Sequence, residues 1–189
     1  MILGLSLSGL LISGICVRRV MKQQRLFWLI CLFIMFFNSC AVLGVLRPQK
    51  DLPHSESIGK PGGPMVLMAS RDSEFKRALV REIGYALVSE GINQRTIGVD
   101  DLKGIKSSEY NVVVVISSCI AWGLEEDVQV FLKRQETFSN IILVTTSGTG
   151  GWLPNTLDND VEAISSASTL STVNAIARNV MTQISSRLQ

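Results

Sequence analysis

Along the C-terminal two thirds of the chain, short apolar runs alternate with segments in which apolar residues recur at helical spacing. Between the apolar runs, apolar residues recur at helical spacing and predict helices over residues 73–90 and through residues 124–132 and 170–188. Strands that alternate with helices form a parallel sheet covered on both faces. Short apolar runs, each four to eight residues long, predict five strands at residues 64–70, 95–99, 111–117, 141–146 and 161–165.

The number of predicted strands limits the topology. Five strands in this length of chain suit an α/β three-layer sandwich with the strand order 2-1-3-4-5. The run at residues 111–117 is almost entirely β-branched, which is typical of a strand buried on both faces. Ligands of such sheets bind beyond the carboxyl ends of the strands. The candidate site therefore lies in the loops that follow the strands.

The N-terminal region has a different pattern. Residues 2–17 and 26–46 are free of charge, and the sequence VRRVMKQQR lies between them. About 20 apolar residues span a bilayer, and basic loops stay in the cytoplasm. The sequence therefore predicts a transmembrane anchor over residues 1–46, a flexible linker over residues 47–64 that is rich in Pro and Gly, and a domain over residues 65–189 outside the cytoplasm.

A second interpretation begins the chain at Met21. Residues 21–37 then form a signal peptide, and residues 37–40 resemble the lipobox of a bacterial lipoprotein with Cys40 as the lipidated residue. A third interpretation reverses the topology and leaves the domain in the cytoplasm. The sequence alone leaves these alternatives open, although the first two place the domain at the outer face of the membrane.

Charge and composition exclude several functions. The chain has 18 Lys and Arg against 16 Asp and Glu, but all acidic residues lie after residue 50, so the domain is acidic and nucleic acid is not an expected partner. The single histidine, His54, lies in the linker, and Cys119 is the only cysteine of the domain. A Ser-His-Asp, Cys-His or zinc site is therefore not expected. No catalytic residue or metal ligand is predicted, and the sequence does not decide whether the protein is an enzyme.

Small, hydroxyl-bearing and aromatic residues follow the predicted strands. Hydroxyls and free N–H groups at such positions can hold a phosphate, and tryptophans can stack on an aromatic ring. The candidate binding residues after the first four strands are Ser70, Ser73, Ser117, Ser118, Trp122, Gly123, Ser147, Gly148, Thr149 and Trp152.

Residues 66–132 resemble flavodoxins in the succession of strand, loop, helix and the strand YNVVVVISSCIAWG. The resemblance implies a flavodoxin-like fold, bound FMN and electron transfer. The first loop, ASRDSEF, departs from the flavodoxin pattern because it lacks glycine and contains Asp72 and Glu74. Asp72 is expected to cap the following helix, and both charges repel a phosphate. The sequence therefore predicts that the usual phosphate cradle is lost.

Residues 161–176 resemble the signature of the FMN-binding domain family, with Glu162 in place of Asp and Ser166 in place of Gly. The resemblance implies that FMN is esterified to Ser168 outside the cytoplasm. The hydroxyls of Ser165, Ser166, Ser168 and Thr169 are also expected at a helix N-terminus, where they could hold a phosphate or simply cap the helix.

Two hypotheses follow. The protein is either a membrane-anchored, extracytoplasmic FMN protein that passes electrons to a redox partner protein, or a flavin-free binding or scaffold module of the same fold at the membrane. The lost first loop favours the second hypothesis, and the segment at residues 165–169 favours the first.

Overall fold

The computed structural model describes residues 49–154 and 161–189. In chain order, these residues form β1 (Ser55–Ser57), β2 (Met65–Ser70), α1 (Glu74–Ser89), β3 (Asn93–Ile97), β4 (Val112–Ser118), α2 (Glu126–Lys133), β5 (Ile141–Ser147), β6 (Glu162–Ala167) and α3 (Val173–Leu188). Short 3₁₀ segments lie at Asp100–Gly104, Ser107–Glu109 and Leu170–Thr172.

The strands form one sheet with the order β1-β3-β2-β4-β5-β6. Strands β2 to β6 are parallel, and β1 pairs antiparallel with β3. The five parallel strands have the relative order that the sequence predicts. The prediction of a five-stranded, wholly parallel sheet is wrong, because the sheet has six strands and mixed pairing.

The sixth strand comes from the segment predicted as a flexible linker. In β1, Ser55 lies opposite Thr96 and Ser57 lies opposite Gln94. Leu52 is buried, and the carboxylate of Asp51 accepts hydrogen bonds from two backbone N–H groups just after the end of β3. The linker prediction is therefore wrong for residues 51–57. An edge strand of sequence SES has no apolar pattern, so periodicity could not reveal it.

Alternating residues of the parallel strands fill two cores. Val66 and Met68 of β2 face α1 and α3, whereas Leu67 and Ala69 face α2 and the first 3₁₀ segment. All of β4 from Val112 to Ile116 is fully buried, as expected for a central parallel strand. The result is a three-layer sandwich that holds the carboxyl ends of β2, β4, β5 and β6 along one edge.

Two element boundaries differ from the sequence predictions in ways that affect the site. Helix α1 begins after Ser73, whose hydroxyl accepts a hydrogen bond from the Lys76 N–H, so the expected capping role of Asp72 is wrong. Strand β6 pairs with β5 as far as Ala167, and α3 begins only at Val173. Ser165 and Ser166 therefore lie within a strand and not at a helix N-terminus.

The predicted membrane anchor and the lipidation site at Cys40 lie outside the described residues. Within residues 49–154 and 161–189, no helix has the length and apolar character needed to cross a membrane.

Candidate functional site at the carboxyl edge of the sheet

The loop after β2 takes the place where the flavodoxin resemblance predicts a phosphate cradle. Ser70 is fully buried, and its hydroxyl donates to the carbonyl oxygen of Arg71 at 2.9 Å. The Ser73 hydroxyl caps α1. Asp72 forms an ion pair with Arg77. Both predicted serine ligands of this loop thus have intramolecular partners.

Arg71 fills the space beside this loop with an ion-pair network. Its guanidinium contacts four carboxylates at 2.9–3.0 Å, and its side chain is only 15% exposed. Burial opposes the charged form, but the carboxylates outweigh it and raise the pKa of Arg71. The four carboxylates belong to Asp51, Asp100, Glu125 and Asp127.

Glu125 connects this network to the central strand. It is buried immediately before α2, accepts the Arg71 Nε–H at 3.0 Å, and accepts the Ser118 backbone N–H at 2.8 Å. The Nζ atom of Lys76 lies 3.6 Å from the same carboxylate. Glu125 thus joins the Arg71 side chain, the end of β4 and the first turn of α1.

Lys76 is the buried cation that sequence reasoning missed. It lies in the first turn of α1, is 3% exposed, and donates from Nζ to the Ser118 hydroxyl at 2.8 Å. Burial lowers the pKa of Lys76, and the Glu125 carboxylate offsets only part of this effect. The signal in the sequence is spacing, because Lys76 precedes the buried Leu79 by three residues and so lies on the apolar stripe of the helix.

The loop after β4 presents the most exposed large apolar side chain at this edge. Trp122 is 85% exposed. Ala121 and Trp122 both have positive φ, at 48° and 65°, and two backbone hydrogen bonds of 2.9 Å between Ile120 and Gly123 close the turn. Non-glycine residues in this left-handed region are strained by about 1–2 kcal/mol each. Ser117, by contrast, is fully buried and points its hydroxyl at the Ser118 carbonyl.

The loop after β5 is held by its own hydrogen bonds. The Ser147 hydroxyl accepts the Gly150 N–H at 2.9 Å, and Gly150 has a φ of 76° and packs against the backbone of Ala167. Gly148 and Thr149 are exposed between them. Trp152 is half-buried and packs against the α2 side of the core.

The serines after residue 164 separate into two groups. The Ser165 hydroxyl lies 2.7 Å and 2.9 Å from the carbonyl oxygens of Gly150 and Trp152, and Ser166 is buried with its hydroxyl 2.9 Å from the Ala167 carbonyl. Ser168 and Thr169 are exposed after the end of β6. The structure thus brings together the predicted loops along one edge, but Ser165 supports the loop after β5 and Ser166 is buried within its own segment, so neither faces outward.

These residues do not fit an FMN phosphate at the first loop. A phosphate site needs free N–H and hydroxyl donors with positive charge to spare. Here the serine hydroxyls have intramolecular partners, and the carboxylates around Arg71 and Lys76 outnumber the two cations. An incoming dianion would have to displace Glu125 from Arg71 and from the buried Lys76.

Comparison with known proteins shows similar folds but identifies no family. No protein-family model matches the chain, and no curated protein matches it. The resemblance of residues 161–176 to the FMN-binding domain signature therefore stays a prediction.

Three solved structures illustrate the structural likeness. The metal-soaked flavodiiron core Flv1 from Synechocystis sp. PCC6803 has 13% identity, covers 66% of this chain and 35% of its own, and gives a TM-score of 0.50. A flavodoxin from the domain Archaea has 16% identity over 66% of this chain and 99% of its own, with a TM-score of 0.47. An oxidoreductase from Corynebacterium diphtheriae has 11% identity over 67% of this chain and 97% of its own, with a TM-score of 0.47.

The chain spans about a third of the length of the flavodiiron structure. At these identities the likeness concerns the fold alone. The chain has an α/β sheet fold similar to that of flavodoxin, with an added antiparallel strand and with its own side chains filling the first strand-end loop.

Proposed function

We propose that this protein is a membrane-tethered, flavodoxin-like binding module that holds a partner protein at the carboxyl edge of its sheet. The observation that carries the proposal is Trp122, an 85% exposed indole on a strained turn. Backbone strain that the surrounding structure maintains is concentrated at functional sites. Tryptophan is also enriched among the residues that dominate protein–protein binding energy.

The neighbouring loops support a protein partner over a small ligand. Ile120, Leu153 and Leu170 are also exposed apolar residues, and they follow β4, β5 and β6 along the same edge of the sheet. Glu125, three residues after Trp122, is buried and paired with Arg71, which anchors the end of this loop. Rigid positioning lowers the entropy that an exposed aromatic side chain loses when it binds.

The membrane part of the proposal rests on the sequence pattern of residues 1–46. An apolar anchor or a lipid on Cys40 would hold the domain beside the membrane, and the basic segment between the apolar runs favours an extracytoplasmic domain. A partner in or at the same membrane would then meet Trp122 at high effective concentration.

Site-specific photo-crosslinking tests this proposal in cells that produce the full chain. A photoreactive phenylalanine analogue replaces Trp122 in one variant, and in the matched control it replaces Tyr85, which is 69% exposed on α1. A discrete cross-linked species from position 122 alone is the expected result. The same species from both positions, or none from position 122, contradicts the proposal.

A second candidate function is electron transfer with FMN. It is favoured by the position of Trp122, which lies in the loop that the flavodoxin resemblance places beside a flavin. When bound, FMN would supply one- or two-electron chemistry. The first loop does not fit its phosphate, which leaves the exposed Ser168 as the attachment point implied by the second resemblance.

An absorption spectrum separates the two candidates. The full chain is purified from a host that provides a flavin transferase, and the spectrum is recorded before and after acid precipitation. Flavin bands that remain with the pellet and disappear in Ser168→Ala support covalent FMN and contradict the flavin-free proposal. We expect no flavin bands in either fraction.

A further inference from the structure

The added strand β1 creates a groove that a five-stranded sheet would lack. Strand β1 extends the sheet beyond the edge of α1. The face of the sheet beside α1 is therefore left uncovered at β1 and β3. The groove has a volume of about 530 Å³, within the size range of small-molecule sites. It is lined by residues of the segment before β1, of β1 itself, of β3 and of the outer face of α1.

The floor of the groove is polar. Ser55 lies opposite Thr96, and Ser57 lies opposite Gln94, so four polar side chains alternate across the two paired strands. The Thr96 hydroxyl and the Gln94 side-chain oxygen are buried and have no hydrogen-bond partner among the described residues. A buried polar group without a partner costs about 1–3 kcal/mol.

Gly84 explains how Gln94 comes to lie there. A Cβ atom at Gly84 would stand 2.7 Å from both terminal atoms of the Gln94 side chain. Glycine in a helix interior costs roughly 1 kcal/mol relative to alanine. Glycine therefore occupies this helix position, despite its poor helix propensity, because it leaves room for the Gln94 amide at the floor of the groove.

The wall of the groove is apolar and its charge is positive. Leu52, Val80, Tyr85 and Val88 form apolar surface, and the only charged lining residues are Arg77 and Arg81. Arg77 pairs with Asp72, whereas Arg81 has no ion-pair partner within the described part of the chain. No acidic side chain lines the groove.

We propose that this groove binds a small organic anion with an apolar body and an N–H or O–H donor. The anion would pair with Arg81, the apolar body would cover Val80 and Tyr85, and the donor would satisfy the orphaned oxygen of Gln94. This site lies on the face of α1 and is independent of the proposed partner surface around Trp122.

The proposal is tested with 8-anilinonaphthalene-1-sulfonate, a probe that combines a sulfonate, an aromatic body and an N–H group. Its fluorescence is titrated with the full chain and compared with that of N-phenyl-1-naphthylamine, which has the same body and N–H group but no charge. We expect the sulfonate probe to bind the natural chain more tightly than the neutral probe, because only the sulfonate can pair with Arg81.

Variants locate the bound probe. Arg81→Gln should weaken binding of the sulfonate roughly threefold, the size expected for one exposed ion pair, and leave the neutral probe unchanged. Ser57→Phe, which fills the floor, should weaken both probes. Arg178→Gln on α3, an exposed arginine in a different groove, is the matched control and should change neither.

Far-UV circular dichroism verifies that each variant is folded. Equal effects of Arg81→Gln and Arg178→Gln would overturn the proposal, because they would show a general charge effect. Fluorescence that is absent in the natural chain, or unchanged in both Arg81→Gln and Ser57→Phe, would overturn it as well.

Discussion

At the scale of single residues, the most consequential side chain is Glu125. It is the only carboxylate among the described residues that contacts both Arg71 and the buried Lys76. Breaking a buried ion pair by removing one partner is costly because the other charge remains buried. The stability of the carboxyl edge therefore depends on this one carboxylate.

Glu125→Gln should lower the free energy of unfolding by about 3 kcal/mol or more, as measured by urea denaturation. The matched control is Glu126→Gln, an exposed neighbour whose loss should change the stability by no more than about 0.5 kcal/mol. Similar small effects in both variants would show that the network contributes little.

Asp100 gives the network a pH dependence. Desolvation opposes its charge, but the charge and hydrogen bond of Arg71, with its other neighbours, outweigh this and lower the pKa of Asp100 below 3.8. A carboxylate with a depressed folded-state pKa contributes stability above its unfolded pKa and loses it as the pH falls through the folded pKa. The stability difference between the natural chain and Asp100→Asn, followed by urea denaturation, should be constant above about pH 5 and shrink below pH 3.8. A difference that stays constant down to pH 2.5 would contradict this role.

Residue types at the site were predictable, but their contacts were not. The sequence indicated a carboxyl edge rich in serine and the loss of a phosphate cradle through Asp72 and Glu74. The structure attributes the filled loop instead to Arg71 and Glu125, which are 54 residues apart in sequence. Single-sequence periodicity contains no information about such a pair, because it arises only when β2 and β4 become neighbours.

At the scale of elements, the turn after β4 retains backbone strain that a glycine would remove. Glycine would adopt the conformation of Ala121 without penalty. Ala121→Gly should therefore raise the free energy of unfolding by roughly 0.5–1 kcal/mol, since relief of left-handed strain exceeds the added chain entropy.

The same turn separates stability from binding. Ala121→Gly keeps Trp122 and should retain the cross-linked partner when the photoreactive residue is placed at Ile120. Trp122→Ala should lose that partner while its folding stability changes little, because the indole is largely exposed. Loss of folding stability in Ala121→Gly would show that the turn is not strained.

Strand β1 is the element that the sequence did not predict. Leu52 is buried against the domain just before this strand. Leu52→Ala should cost about 2 kcal/mol or more in thermal or urea unfolding, as for other buried leucines, whereas Pro53→Ala at the exposed neighbouring position should cost little. Equal stability of the two variants would restore the view of this segment as a flexible linker.

Apolar elements were predictable because burial on both faces imposes a pattern. The runs in β2, β4 and β5 are visible in the sequence, and so are the stripes of α1 and α3. The missed boundary of β6 has the opposite cause. Its last residues, Ser165 to Ala167, are small and hydroxyl-bearing, and they remain in the strand because β5 provides a hydrogen-bonding partner.

At the scale of the whole molecule, the fold is flavodoxin-like, but charged side chains of the chain itself fill the first loop at the carboxyl edge of the sheet. Arg71 and Lys76 lie at the loop whose phosphate cradle the sequence predicts to be lost, and each is already bound to carboxylates. Because one fold can support unrelated functions, the function must be inferred from the residues of the site and not from the fold. We therefore propose that a partner protein binds this edge through Trp122 and that a small anion binds the groove between β1 and α1.

The most direct test of this account compares FMN with riboflavin. Both contain the same ring system, and only FMN carries the phosphate, so the difference in affinity isolates the phosphate site. Flavin fluorescence is titrated with the purified full chain. We expect a dissociation constant for FMN no lower than about 100 µM, and no preference for FMN over riboflavin. Binding of FMN in the low micromolar range, at least tenfold tighter than riboflavin, would contradict it.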